Sequence, residues 1–149
     1  MVAGGVFTHE DVMHCMELGA DGVQVASRFV ATEECDASDA YKQAYLAAKE
    51  SDAQIIQSPV GMPGRAIHNA FLDKAAKGEL SKGKCHQCLA KCDPAQIPYC
   101  ITDALVNAAK GNTEEGLLFC GANAFQAKSL EHVSDIMKEF EEEFSCLQG

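Results

Sequence analysis

Val12, Cys15, Met16 and Gly19 recur at i, i+3, i+4 and i+7, the repeat of one helix face, and Thr8 stands three residues before Asp11, the spacing of a capping box. Residues 9 to 18 are therefore expected to be helical. Upstream, Val2-Ala3 running into Gly4-Gly5 reads as the end of a strand. Downstream, Gly19-Ala20-Asp21-Gly22 is a turn, and Val23-Gln24-Val25-Ala26 suits a short strand buried on both faces. Strand, helix and strand with short connections make a parallel βαβ unit, whose right-handed crossover puts the helix outside the sheet. Ligands of such a unit sit at the carboxyl ends of its strands.

Beyond Arg28-Phe29 the pattern turns helical. Ser38 can cap a segment in which Tyr41, Ala44, Tyr45 and Ala48 form an apolar stripe, which predicts a helix over residues 39–50. Ala53 to Gln57 reads as extended and Pro59 to Gly64 as a loop. Ile67, Phe71 and Ala75 mark another helix ending near Gly78. A cysteine-rich loop fills residues 79–100. Ile101, Ala104, Leu105 and Ala108 then define a short helix stopped by Gly111, and Gly116 to Ala124 is an apolar stretch with no marked periodicity. In the last helix, capped by Ser129, Val133, Ile136, Met137, Phe140 and Phe144 share one face, while Glu139, Glu141, Glu142 and Glu143 lie mainly on others as a solvated surface. No repeat, low-complexity tract or Gly/Ser linker divides the chain. The pattern gives one α/β domain, with βα units over residues 1–52 and a helical and loop extension over 53–149 packed as part of it.

The 149 residues, 47% of them hydrophobic, are enough for one core. Twelve basic against 22 acidic residues leave a formal charge of −10, and no basic stripe forms, which excludes a nucleic-acid binder. No apolar run approaches the ~20 residues of a membrane span, and the first residues lack the pattern of an export signal, so a cytoplasmic chain is expected. Eight cysteines are then expected to be reduced thiols or metal ligands.

Gly4-Gly5 and Ala26-Ser27 end two strands separated by one helix, and these ends should emerge side by side. Glycines let backbone N–H groups approach an anion and Ser27 adds a hydroxyl, although the spacing alone favours an ordinary tight turn. Ala3-Gly4-Gly5-Val6 together with Leu18-Gly19-Ala20-Asp21-Gly22-Val23-Gln24-Val25-Ala26-Ser27-Arg28-Phe29-Val30-Ala31-Thr32-Glu33-Glu34 resembles the end of the nitronate monooxygenase barrel. That family, formerly called 2-nitropropane dioxygenases, includes flavin-dependent enoyl-acyl-carrier-protein reductases. The resemblance continues through Ser58-Pro59-Val60-Gly61-Met62-Pro63-Gly64-Arg65-Ala66-Ile67 and Gly116-Leu117-Leu118-Phe119-Cys120-Gly121.

It implies a partial (β/α)8 TIM barrel, the last two strand–helix units, followed by a mainly helical carboxy-terminal region. It also implies FMN, with Gly4 and Gly5 presenting N–H groups to its phosphate and Gln24, Val25, Ala26 and Ser27 forming the second loop. The family usually has Gly-Thr where this chain has Ala26-Ser27, a departure that keeps the hydroxyl and adds a methyl. The family's catalytic base and ring contacts come from earlier strands, so no catalytic residue is expected here. His9, His14 and His132 are read as surface or packing residues on helices, His68 as a structural neighbour of Ile67, and Arg65 as a structural ion pair opening a helix.

Cys85, Cys88, Cys92 and Cys100 form a C-x2-C-x3-C-x7-C array whose four thiolates could surround zinc or an iron–sulfur cluster; His86 lies among them. The competing reading is reduced thiols packed as small hydrophobes. Flavin barrels of the dienoyl-CoA reductase type also carry an iron–sulfur cluster just after the barrel, with different spacing. Cys15 belongs to a helix face, and Cys35, Cys120 and Cys146 are expected to be packed or free thiols. Bare strand edges predict self-association or pairing with a separate amino-terminal barrel part. The expected activity is FMN-dependent oxidation of a nitronate, with enoyl-thioester reduction as the alternative. A non-catalytic metal-binding or partner-packing module is the alternative of a different class.

Overall fold

The computed structural model describes residues 1–90 and 92–144, with side chains through residue 141; the thiol of Cys146 and the face occupied by Phe144, Glu142 and Glu143 lie outside the described side chains. The architecture is mixed α/β. Strand β1 (Val2–Ala3) is followed by α1 (His9–Glu17), β2 (Val23–Gln24) and the short α2 (Ser27–Val30). β1 and β2 pair in parallel, Val2 opposite Val23 and Ala3 opposite Gln24, and α1 forms the crossover. The capping box is present: Thr8 Oγ1 accepts from the Asp11 N–H at 3.3 Å, and the Asp11 carboxylate accepts from the Thr8 N–H at 2.9 Å. The second strand is shorter than its apolar run, because Val25 leaves the ladder to pack with Val6, Val12, Ile136 and Phe140.

Helix α3 (Asp39–Ala47) carries the expected cap, Ser38 Oγ accepting from the Tyr41 N–H. It stops short of residue 50 because Ala48 turns extended, at φ −63° and ψ 138°, and Glu50–Asp52 make a separate turn of 3-10 helix. β3 (Ala53–Gln57) is extended as expected, but its partner β4 (Pro63–Ile67) takes residues assigned to a loop and a helix. The two strands pair antiparallel from Ala53–Ile67 to Gln57–Pro63. The Pro59–Gly64 loop is thus a hairpin turn that ends before Pro63. Ile67 belongs to a strand because the helical repeat of Phe71 and Ala75 begins only after Asn69, whose side chain accepts from the Leu72 N–H to start α4 (Ala70–Lys77). Gly78, at φ 71°, ends that helix.

Helix α5 (Ile101–Ala109) follows the irregular 79–100 segment. The apolar stretch after it is an extended third row beside β4: the Ile67 N–H donates to Leu118 O and the Cys120 N–H to Arg65 O, each at 2.9 Å. Leu117 and Leu118 are completely buried. The last helix, α6 (Val133–Phe144), begins four residues beyond Ser129. Its first N–H, of Val133, donates to the Glu34 carboxylate at 3.1 Å, so a distant acidic group replaces the expected local cap.

α6 packs against α1 through Ile136, Phe140, Val12 and Val6. The joint is fixed by Arg28, 7% exposed, whose guanidinium donates to Glu131, to Glu139 and to the carbonyl of Phe7. A second core joins Tyr45 of α3 and Ala48 just beyond it to Ile67, Ala108 and Leu118, and a third gathers Phe71, Tyr99, Ala104 and Leu117.

Two measurements check this packing. A Cβ at Gly116 would stand 2.4 Å from the backbone nitrogen of Ala108, an atom held inside α5, so Gly116→Ala should lower unfolding free energy by about 2–3 kcal/mol in a urea titration. The second concerns pH. Hydrogen bonding from Arg28 holds the Glu139 carboxyl below its ordinary 4.5, so its contribution is complete above that value and disappears as pH falls through the lowered one. Arg28→Met should cost about 2–3 kcal/mol near neutral pH, less than breaking a fully buried pair because both glutamates keep access to water, and that difference should shrink at about pH 3.

Candidate functional site

The parallel pairing of β1 and β2 sets their carboxyl ends side by side, and the chain turns away from each at residues free to approach an anion. Gly4 and Gly5 follow β1 at φ 90° and 75°, a backbone conformation that costs any residue with a Cβ. A Cβ built on either glycine meets no atom within 4 Å and points into open space. That space is one wall of a cavity of about 420 Å³ bordered by Gly4, Gly5, Gln24, Ala26 and Ser27. Five of the six residues expected to form the anion site therefore border one space, while the side chain of Val25 turns into the core. Ala26 has φ −130°, outside the left-handed region that favours glycine, so its methyl bears on the shape of the wall.

The opposite wall comes from the extension. Tyr41, Tyr45, Phe119, Cys120, Gly121 and Asn123 line the same cavity. The Gly121 N–H donates to Ser27 Oγ at 2.7 Å, leaving the serine O–H to donate elsewhere. A Cβ at Gly121 would fall 2.7 Å from that oxygen, so a side chain there would displace the serine hydroxyl. The side-chain amide of Asn123 donates to Gly5 O at 2.6 Å and braces the first glycine loop. The buried Tyr45 hydroxyl donates to Phe119 O, and burial raises its pKa. Burial also pushes the Cys120 thiol up to about 11, the nearby Arg65 cation opposing it. The resemblance through Gly116–Gly121 singled out this segment but not its position; its pairing with β4 carries it to the cavity.

The remaining candidates lie elsewhere. Arg65 is on β4 rather than at a helix start, and its guanidinium donates to Ala53 O across the hairpin. His9 is buried and packs on α1, and His14 is exposed. His132 precedes α6 rather than lying on it, and pairs with Glu34 at 3.2 Å. His68 pairs with Asp73 at 3.0 Å beside a separate cavity bordered by Tyr99. Cys15 joins the α1 core face, and Cys35 and Cys120 are half-buried free thiols.

Cys85, Cys88, Cys92 and Cys100 border a cavity of about 510 Å³ in the irregular segment. Cys85 and Cys88 are exposed, Cys92 and Cys100 half-buried. Desolvation, then the neighbouring Cys85, Cys88 and Cys100, raise the pKa of Cys92. As they stand, no three His, Cys, Asp or Glu side chains among the described residues form a ligand set. His86 turns away to Asp103 at 2.7 Å.

With this geometry established, comparison with known proteins gives a consistent answer. A family model described as nitronate monooxygenase matches residues 1–143. A probable nitronate monooxygenase of Staphylococcus haemolyticus is 28% identical over 155 aligned positions, covering 99% of this chain and 39% of that protein. One of Staphylococcus saprophyticus is 36% identical over 74 residues, covering 50% of this chain and 21% of that protein. Among solved structures, FabK from Thermotoga maritima superposes with a TM-score of 0.72 at 26% identity, covering 99% of this chain and 46% of that one. Nitroalkane oxidase from Streptomyces ansochromogenes shares the fold at a TM-score of 0.66 and 22% identity, covering 98% and 40% respectively. The chain spans less than half the length of these relatives, and it belongs to the nitronate monooxygenase family.

Proposed function

We propose that this chain is the carboxy-terminal portion of an FMN-dependent oxidoreductase that oxidises alkyl nitronates with oxygen, and that its cavity between the two parallel strand ends holds the flavin phosphate. The observation that carries this reading is the convergence of Gly4 and Gly5, both at positive φ, with Ser27 on one space. Backbone N–H groups at such glycines and a serine O–H are the donors a phosphate needs, and a side chain on either glycine would strain the backbone that presents them. In this reading the chain is the last two strand–helix units of a (β/α)8 barrel with their extension, consistent with phosphate binding by the final loops of such barrels.

When bound, FMN would supply the electron-accepting ring that takes electrons from the substrate carbanion and passes them to oxygen. The residues of this chain do the anchoring. Ser27 donates to the phosphate while its oxygen remains fixed by the Gly121 N–H, and Asn123 keeps the Gly5 loop from opening. The substrate base and ring contacts belong to the earlier barrel strands, supplied by the rest of a longer protein or by a separate chain. The exposed edge of the β1–β2 pair is the surface those strands would cover.

The test is FMN binding to the purified chain by equilibrium gel filtration. Retention should fall in the presence of inorganic phosphate, and riboflavin should bind far more weakly than FMN. Ser27→Ala should weaken FMN about tenfold, the effect of losing one hydrogen bond to a charged group. Gly121→Ala, which displaces the serine oxygen, should do at least as much. Equal affinity for FMN and riboflavin would sink the assignment of a phosphate site. In the complete enzyme, oxygen uptake with a nitronate supports the oxidase reading, whereas NADH- or NADPH-driven reduction of an enoyl thioester would replace it with the reductase.

Cys120 offers an independent probe. Its thiol, raised to about 11, should be alkylated slowly, with a rate still climbing at about pH 10, whereas in the unfolded chain the rate levels off near pH 9. FMN should slow it further, because Cys120 lines the same cavity.

A further inference from the structure

The described residues between 79 and 100 lack a helix or strand of their own, yet the four cysteines there border a single cavity separate from the phosphate pocket. Local contacts organise this segment around the sulfurs. Within the turn from Cys85 to Cys88, Gln87 has φ 53°, in the left-handed region that favours glycine, and its N–H donates to Cys85 Sγ at 3.4 Å. A backbone donor aimed at sulfur fixes the direction of that side chain. The same turn is tied to α5 beside Cys100: His86 Nε2 meets Asp103 at 2.7 Å, and Cys88 Sγ meets Thr102 Oγ1 at 3.0 Å. Lys82 donates to Ala95 O at 2.8 Å, joining the two halves of the loop.

Charge supports the same centre. Lys82, Lys84 and Lys91 against Glu79 and Asp93 give residues 79–100 a formal +1 within a chain of −10. A locally positive segment in an acidic protein is suited to a site that becomes anionic.

We propose that Cys85, Cys88, Cys92 and Cys100 are the ligands of one Zn²⁺, and that the loop closes on the ion as it binds. Four S–H groups lose their protons to solvent, four Zn–S bonds form, and the site carries a formal charge of −2 that the lysines offset. No redox step is involved. The sulfurs do not yet form a ligand set, as expected where ligand assembly and ordering of an irregular segment are one event. Zinc suits the set because it takes four thiolates tetrahedrally and brings no redox chemistry to a loop in which Cys85 and Cys88 are exposed. The centre is structural: it staples a segment with little core of its own, and its presence is independent of flavin binding.

The experiment uses the full chain purified with reductant and without chelator. Elemental analysis should find one zinc per chain. Replacement by Co²⁺ should produce the sulfur-to-metal charge-transfer bands and visible bands of a tetrahedral thiolate site. Cys88→Ser and Cys92→Ser should lose these signals and Cys35→Ser should keep them, with far-ultraviolet circular dichroism reporting whether each variant is folded. Should the ligand variants fail to fold, the wild-type chain stripped by chelator provides the second measurement: zinc should protect four thiols from a thiol reagent and suppress proteolytic cleavage within residues 79–100. Absence of zinc together with absence of cobalt bands, or equal zinc retention by Cys85→Ser/Cys88→Ser, overturns the proposal. Stoichiometric iron and sulfide overturn it in favour of a cluster. FMN retention that survives zinc removal separates this outcome from that of the phosphate pocket.

Discussion

Arg28 fixes the geometry on which the site depends. Its guanidinium leaves water almost entirely and is held by the carboxylates of Glu131 and Glu139 and by the carbonyl of Phe7. Hydrogen bonding from Glu139 and then Glu131 raises its pKa against the opposing effect of burial. The planar fork also lies near the rings of Phe7 and Phe140, at 5.7 and 5.5 Å from their centroids, an arrangement that lysine cannot reproduce. A single side chain thereby joins the loop leaving β1, the start of α2 and the last helix. Gly5 lies two residues before Phe7, and Ser27 directly precedes Arg28, so this ionic knot sits just behind both walls of the anion cavity. Its charges are satisfied internally or by water, and the face toward the cavity is left to neutral donors.

The extension completes the pocket rather than merely following it. Leu117 and Leu118 are buried in two different clusters, while the backbone between and after them hydrogen-bonds to β4. That pairing fixes Phe119 O beneath the Tyr45 hydroxyl and places the Gly121 N–H on Ser27. Gly64 permits the same close approach from the other side, since a Cβ there would strike the Phe119 ring. A division of the chain near residue 52 describes its strand–helix units but would cut the cavity in two.

What was legible in the sequence was what local chemistry determines. Thr8, Ser38 and Gly78 punctuate helices through contacts within a few residues, and their positions follow from spacing alone. The glycine pair and Ser27 could be proposed because residue type limits what backbone they allow. What was not legible depends on distant partners. Ile67 fits a helical repeat with Phe71 and Ala75, yet its place opposite Ala53 and its hydrogen bond to Leu118 claim it for the sheet. Ser129 is a competent cap, but Glu34, far away in sequence, reaches Val133 and moves the helix start. Asn123, Gly121 and Tyr45 acquire their roles only when the extension folds back.

The two thiol environments show why residue type alone does not define a site. Cys120 lies in the flavin-side cavity, but burial holds its thiol near 11 and keeps it neutral at ordinary pH, so there it acts as a packed wall. The loop cysteines have a different setting: Cys85 and Cys88 are exposed, a backbone donor reaches Cys85, Cys92 and Cys100 are half-buried beside them, and the segment carries a surplus of lysine. Proton loss is costly where the low-dielectric core would have to hold a charge, and feasible where a cation can replace the protons. The same element therefore serves two ends of the domain differently, as neutral packing beside the anion cavity and as anionic ligand in the loop that has little core to hold it.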